Sequence, residues 1–350
     1  MTDPCPCSVR PYRRGDERAL VELFRQVFGH PITEEHWRWK LQWPATPDNA
    51  WIALSDDRPV FHYGGIPTRF WLEQAPASTM VAVDAMTAPA FRRQGLLTRV
   101  VGQAHAAWRQ NGVAFVLGLP NEQWGSRARA LGWQPLFSLQ WLVRPLRPEA
   151  LLARRLHVPM LERATLPAVL WQRFLQWRLR RDPQTLTEPV AQADESFDRL
   201  WERCRADWKF STVRDRAWVQ WRFLAPPERH YELTLARRAG EPVGYTAHRL
   251  IGTPGRRSAE LAELFTAEAD QATCHALLFD LISRLETTDA QAVVTLAVRG
   301  TRLFRWLRRA GFLAGGGFSV HMVPLREDFP LQTMLQPQNW NLSGADFDVI

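Results

Sequence analysis

The chain has 350 residues, 46% of them hydrophobic and 23% charged, a globular composition long enough for two domains and unlike a disordered or fibrous chain. Its formal charge is +8 and nearly all its cations are arginines, Lys40 and Lys209 being the only lysines; this suits nucleic acid, an anionic membrane surface or a phosphorylated cofactor without selecting among them. No apolar run approaches ~20 residues, so no transmembrane helix is expected, and the opening Met1–Cys7 lacks the basic and apolar regions of a signal peptide, so a cytoplasmic location is expected.

In chain order, Ser8 to Arg13 reads as a short strand and Asp16 to Phe28 as a helix, with Leu20, Leu23, Phe24 and Val27 on one face. Ala50 to Leu54, Val60 to Leu72 and Thr79 to Thr87 read as strands. Gly95 to Gln110 is a helix that turns Leu96, Leu97, Val100, Val101, Ala104 and Trp108 inward and stops at Asn111-Gly112. Val113 to Leu119 has the length and character of a buried strand. A short helix from Asn121 to Leu131 and a strand from Trp133 to Val143 follow. The next stretch carries a basic, tryptophan-bearing helix, roughly Pro167 to Arg181, whose Leu166, Leu170, Trp171, Phe174 and Trp177 are expected to pack it against the rest. Beyond it lie a helix from about Ala272 to Leu285, a buried strand from Ala292 to Val298 and a short helix from Thr301 to Ala310. A tail from Pro324 to Ile350, carrying Trp340, is expected to pack as well.

These later elements echo the earlier ones. Residue n aligns with n+179 from Asp84 to Trp133 without a gap: Asp84 meets Glu263, Thr87 meets Thr266, Leu117 meets Leu296, Arg129 meets Arg308 and Gly132 meets Gly311. Trp39-Lys40 before Pro44 resembles Trp221-Arg222 before Pro226, and Pro59-Val60 resembles Pro242-Val243. The matches are collinear, as a duplication requires. The expected division is 1–145, a helical connector 146–193, a second half 194–325 and a tail 326–350.

The sharpest local feature is Arg92-Arg93-Gln94-Gly95-Leu96-Leu97-Thr98, between a strand and a helix. A glycine permits a close backbone turn, the helix N-terminus offers free N–H groups and a positive dipole end, and two arginines add charge-assisted bonds, which together suit a pyrophosphate. A basic loop capping an amphipathic helix has the same local sequence. The aligned segment of the second half, Gln271-Ala272-Thr273-Cys274, has lost both arginines and the glycine and is not expected to grip phosphate. Cys5, Cys7, Cys204 and Cys274 lack metal-ligand spacing, so no metal site is expected, and a disulfide framework is not expected in a chain this long.

The loop, the preceding strand and the opening Val9-Arg10-Pro11-Tyr12 together resemble the GNAT acyltransferase superfamily over roughly Ser8 to Pro145, with a weaker echo over Asp194 to Pro324. The resemblance implies an α/β (α+β) fold of two GNAT-like domains, each a mixed twisted sheet flanked by helices, and acetyl-CoA or another acyl-CoA as co-substrate, with no metal. Arg92, Gly95 and Leu97 fall on the fixed positions of the family's loop pattern, where Leu97 replaces a small residue. By the same resemblance Met86 and Thr87 lend backbone groups to the acyl carbonyl and pantetheine. Arg92, Arg93, Gln94, Gly95, Leu96 and Leu97 hold the pyrophosphate, Thr98 offers a hydroxyl, and Asn121 contacts the pantetheine arm. The family's usual tyrosine acid is replaced by Ala128. Transfer to an amine needs a neutral nucleophile, and Asp84, Glu122 and His62 are the candidate bases; each also has a structural reading, as a carboxylate paired with one of the arginines, a helix first-turn charge and a structural histidine. The amine acceptor, small molecule or protein, is open. Aminoacyl-tRNA-dependent transfer suits the +8 charge but is not favoured by the Arg92–Gly95 loop, and a non-catalytic binding protein is a third reading.

Overall fold

The computed structural model describes residues 7–41, 46, 48–120, 124–150, 156–157, 165–179, 182–327 and 329–348. Strand β1 (Ser8–Pro11) leads into α1 (Glu17–Phe28), whose Leu20, Leu23 and Phe24 are buried and which ends at Gly29 in the left-handed region. Helix α2 (Glu34–Leu41), then β2 (Ala50–Ser55), β3 (Arg58–Leu72) and β4 (Ala75–Thr87) follow, and a short turn of helix at Pro89–Phe91 leads to α3 (Leu96–Gln110). Next come β5 (Val113–Gly118), α4 (Gly125–Ala130), β6 (Gln134–Pro145) and the connector helix α5 (Thr165–Arg178). The second half supplies β7 (Thr185–Val190), α6 (Glu195–Cys204), β8 (Phe210–Thr212), α7 (Arg216–Val219), β9 (Glu232–Arg238), β10 (Glu241–Ile251) and β11 (Ser258–Thr266). It closes with α8 (Gln271–Leu285), β12 (Ala292–Val298), α9 (Arg302–Arg309), β13 (Leu313–Pro324), α10 (Leu331–Met334) and β14 (Trp340–Asn341).

Two compact units form, and they do not follow the contiguous division expected from the sequence. One comprises 1–137, 225–228 and 319–335; the other comprises 138–224, 229–318 and 336–350. In the first unit β1, β2, β3 and β4 are antiparallel neighbours, β4 and β5 run parallel, and the end of β13 closes the sheet antiparallel to β5, His321 opposite Gly118. In the second unit β7, β9, β10 and β11 are antiparallel neighbours, β11 and β12 run parallel, and most of β6 closes the sheet antiparallel to β12, Val298 opposite Leu139. The pattern of pairing is the same in both. The closing strand of each unit is the one the chain order assigns to the other half. β6 and β13 share their bounds at an offset of 179, so their places in the chain order do not say which sheet each will join.

Each parallel pair brackets a helix that fills one face of its sheet. In the first unit Val100, Val101, Ala104 and Trp108 of α3 are buried with Phe61, Tyr63, Phe70 and Phe115; Phe70 and Phe115 meet edge to face at 5.1 Å. In the second unit Leu277, Leu278, Leu281 and Ile282 of α8 are buried, and a cluster gathers Leu278, Leu281 and Ile282 with Leu261, Val293, Trp306 and Phe312. The tail packs as expected: Trp340 is buried against Phe210, with ring centroids at 4.9 Å. The connector helix does not pack as expected. Among the described side chains, Leu175 of the helix and Leu179 just beyond it are buried, whereas Leu170, Trp171, Phe174 and Trp177 are exposed; the Leu166 side chain lies outside the described residues. Cys7 is disulfide-bonded, which the sequence reading did not anticipate, while Cys204 and Cys274 are free and buried. No group of residues suited to hold a metal occurs among those described, and none of their helices is long and apolar enough to cross a membrane.

Candidate functional site

The end of β4, the loop to α3 and the start of α3 enclose a cleft of about 570 Å³ in the first unit. Ala85 and Thr87 line it from the strand, Phe91, Arg92, Arg93 and Gly95 from the loop, and Leu96, Leu97 and Thr98 from the helix. Val27 and Phe28 at the end of α1, together with Trp124, complete the wall. Gly95 is the N-cap of α3 with φ 77° and ψ 2°, left-handed geometry that favours glycine, and no side chain caps the helix. First-turn N–H groups have no partner within a helix, so those of Leu96, Leu97 and Thr98 open toward the cleft. A β-carbon built on Gly95 would meet no protein atom within 4 Å, so there is room for an anion directly before the helix. Arg92 is exposed and reaches back to the Thr87 carbonyl at 3.4 Å; Gln94 donates to the Ala90 carbonyl at 3.0 Å and is not part of the cleft wall.

The corresponding helix of the second unit is closed to such a ligand. Its N-cap is Asp270, whose carboxylate accepts the Thr273 backbone N–H at 3.0 Å and the Thr273 hydroxyl at 2.7 Å, and pairs with Arg238 at 3.1 Å. Burial alone would raise the Asp270 carboxyl, but the Thr273 bonds and Arg238 hold it below the ordinary carboxylate value. The residues Gln271, Ala272, Thr273 and Cys274, aligned with the loop in sequence, form the first turn of this helix. The protein's own carboxylate occupies the position that an anionic ligand would take.

Two of the candidate bases, His62 and Asp84, sit behind the cleft wall rather than on it. His62 is fully buried, its Nδ1 at 2.8 Å from the Asp84 carbonyl. Burial pushes its imidazole down to about 4, with the Lys40 charge acting in the same direction and the Asp84 bond opposing. The ring is therefore neutral at pH 7, with the proton on Nδ1 donated to that carbonyl and Nε2 enclosed. Asp84 is ion-paired with buried Lys40 at 2.6 Å, a lysine rather than the arginine partner its structural reading named. Its φ of 48° sits where β3 and β4 fall out of register, a bulge of the kind that re-aims neighbouring side chains. Beyond it Ala85 and Thr87 line the cleft, while Met86 between them is buried. Asn121 and Glu122 lie outside the described residues. Among those described, the cleft wall holds no carboxylate, histidine or tyrosine, and Ala128 is buried.

The sequence reading located Thr87, Arg92, Arg93, Gly95, Leu96, Leu97 and Thr98 on the cleft; it missed Val27, Phe28, Ala85, Phe91 and Trp124. Phe28 ends the apolar face of α1, and that was its one signal. The same reading missed Lys40, one of two lysines in an arginine-rich chain.

Residues 8–136 match the family described as Acetyltransferase (GNAT) domain. No curated protein matches the chain in sequence. Among solved structures, a GCN5-related N-acetyltransferase from Anabaena variabilis aligns with a TM-score of 0.67 at 11% identity, over 91% of this chain and 73% of that one. A probable N-acyltransferase from Enterococcus faecalis, solved as a conserved protein of unknown function, aligns at 0.65 and 12% identity over the same shares. A GCN5-related N-acetyltransferase from Kribbella flavida aligns at 0.62 and 13%, over 90% and 70%. At these identities the likeness is one of fold, and it extends well beyond residues 8–136.

Proposed function

We propose that the first unit binds acetyl-CoA or a related acyl-CoA in the cleft before α3 and transfers the acyl group to an amine, on a small molecule or a protein; the match of residues 8–136 to the GNAT acetyltransferase domain family supports this reading. The observation that carries this reading is the uncapped start of α3 at Gly95, flanked by Arg92 and Arg93, set against the self-capped start of α8. When bound, acyl-CoA supplies a thioester whose carbon–sulfur bond is exchanged for a carbon–nitrogen bond to the amine, the thiolate leaving and the amine's proton passing to solvent.

The N–H groups of Leu96, Leu97 and Thr98 hold the pyrophosphate with the help of the helix dipole, and Arg92 and Arg93 add partly solvated charge-assisted bonds. Ala85 and Thr87 line the acyl end of the cleft, and the buried Lys40–Asp84 pair with His62 fixes the bulge that presents them. Val27, Phe28 and Trp124 exclude water from the same region. Glu122, two residues before Trp124 in sequence, is the remaining candidate base.

The test is titration calorimetry of the full chain with CoA, followed by thiol release from acetyl-CoA across a panel of amines. Saturable CoA binding with amine-dependent thiol release supports the reading. No CoA binding at low salt refutes it, and CoA binding without amine-dependent release leaves a binding protein rather than an enzyme.

A further inference from the structure

The connector helix α5 exposes a large apolar face. Trp177 is 68% exposed, Leu170 58% and Phe174 48%, and Trp171 stands beside them. At about 3.6 residues per turn, Leu170, Phe174 and Trp177 fall opposite Leu175 and Leu179, the residues that hold the helix in place. The attachment is firm: the Leu175 side chain lies directly over Gly311, where a β-carbon would come within 2.6 Å of it, and Gln172 donates to the Pro145 carbonyl at 2.6 Å. The helix is thus apolar on two opposite faces, and among the described residues only one of them is buried.

The charges that the helix itself places around the free face have a single sign. Arg173 flanks it on one side and Arg178 on the other, both exposed, with the Arg178 guanidinium 5.7 Å from the Phe174 ring centre. No acidic residue occurs from Thr165 to Leu179, and the whole chain carries +8. A second copy meeting this face symmetrically would bring arginines onto arginines with no carboxylate of the helix to pair them. An aromatic and leucine face bracketed by arginines has the chemistry that settles at a membrane interface, where tryptophan and arginine are favoured and anionic headgroups meet the guanidinium groups.

We propose that α5 is a peripheral docking surface for anionic lipid, lying in the plane of the bilayer surface with Leu170, Phe174 and Trp177 among the acyl chains and Arg173 and Arg178 at the phosphates. None of the described helices is long and apolar enough to cross a membrane, and the face shares no residue with the cleft wall.

The experiment is flotation of the full chain with phosphatidylcholine vesicles, with and without phosphatidylserine, at low and moderate salt. The variants are Leu170→Gln/Phe174→Gln/Trp177→Gln and Arg173→Gln/Arg178→Gln. Both sets are solvent-facing, so circular dichroism and melting should be unchanged. The parent should float with serine-containing vesicles and not with neutral ones, and added salt should weaken binding. The aromatic variant should lose binding entirely. The arginine variant should lose it in part, each arginine near an anionic surface being worth about fivefold. Absence of parent binding to the anionic vesicles, or undiminished binding by the aromatic variant, overturns the proposal. So does sedimentation showing that the parent self-associates through this face and that the aromatic variant alone is monomeric.

Discussion

Replacing Gly95 by alanine or valine separates the phosphate loop from the fold that carries it. At φ 77° and ψ 2° an L residue pays roughly 1–2 kcal/mol in the left-handed region, and a β-branched one more. No further penalty arises inside the protein, because a β-carbon there meets no atom within 4 Å. The loss in stability is thus small against the usual 5–15 kcal/mol of a domain, on the order of a few degrees in melting temperature. The effect on ligand is larger, since the empty space before Leu96 is the space a pyrophosphate would occupy. Displacing it from one or two N–H groups removes about 1.5–3 kcal/mol for each charge-assisted bond, or roughly ten- to a hundredfold per bond in affinity. Arg92→Ala should cost less, because Arg92 is exposed and Arg93 remains beside it. Cys274→Ala, in the closed helix of the second unit, should leave CoA binding unchanged. Calorimetry with CoA, with circular dichroism and melting of each variant, gives the order Gly95→Val, then Arg92→Ala, then Cys274→Ala. A folded Gly95→Val protein that binds CoA like its parent would refute the reasoning, and the loop would not be the phosphate site.

Acid should destabilise the first unit well before its carboxylates titrate. His62 and His105 are each lowered from 6.5 to about 4, burial being the main cause in both; the unfolded chain therefore binds protons that the folded one refuses, and stability present above pH 6.5 is lost as pH falls toward 4. At 1.36 kcal/mol per pKa unit, each contributes about 3 kcal/mol, and urea melts of His62→Gln and His105→Gln should each show a shallower pH slope than the parent; an unchanged slope counts against the assignment. Lys40→Met strands the Asp84 carboxylate and should cost about 3–5 kcal/mol in denaturant titrations, with part regained in Lys40→Met/Asp84→Leu, and a Lys40→Met protein as stable as the parent would rule out a buried pair. In the second unit Arg214 bonds Glu263 at 3.0 Å and Asp346 at 2.7 Å, all three side chains fully buried. Burial raises the Glu263 carboxyl, Asp346 adds to this and Arg214 opposes it; the stability tied to that proton is present at low pH and lost as pH rises past the ordinary carboxylate range. Glu263→Gln should flatten that fall and Arg214→Met should unfold the unit far more readily, so equal melting of the two variants would contradict the charge count.

Strand and helix positions were legible because burial imposes periods that survive in the sequence. β5 reads as a continuous apolar run and is buried at every position, and β6 and β13 share their bounds at an offset of 179. The phosphate loop was legible for a local reason: glycine and two arginines between a strand and a helix need no distant partner to be understood. Lys40 was not, because its role depends on Asp84, forty-four positions away in the chain, and nothing at either position announces the other. Nor was the exchange of closing strands, since β6 and β13 hold the same place in the chain order of their halves. The connector misled in a different way. Its aromatic content was read as packing, but a helix apolar on two faces buries whichever finds a partner, and here Leu175 and Leu179 did.

The closed helix of the second unit shows why a gapless alignment concealed how its loop was lost. Both helices have fifteen residues, and the strands before and after them keep the offset of 179. Eight residues join β4 to α3 but only four join β11 to α8, whereas two join α3 to β5 and six join α8 to β12. The helix has therefore slid four residues toward the N-terminus, about one turn, converting loop into helix at one end and helix into loop at the other. That slide places Asp270 at the N-cap, where an aspartate is among the preferred residues, and buries Cys274 inside the helix. Changing Cys274 to glycine cannot restore a phosphate loop, since the residue is a full turn into a helix whose first N–H groups already have a carboxylate. Recovering one requires unwinding that turn, and the Asp270 bonds to Thr273 and Arg238 hold it wound.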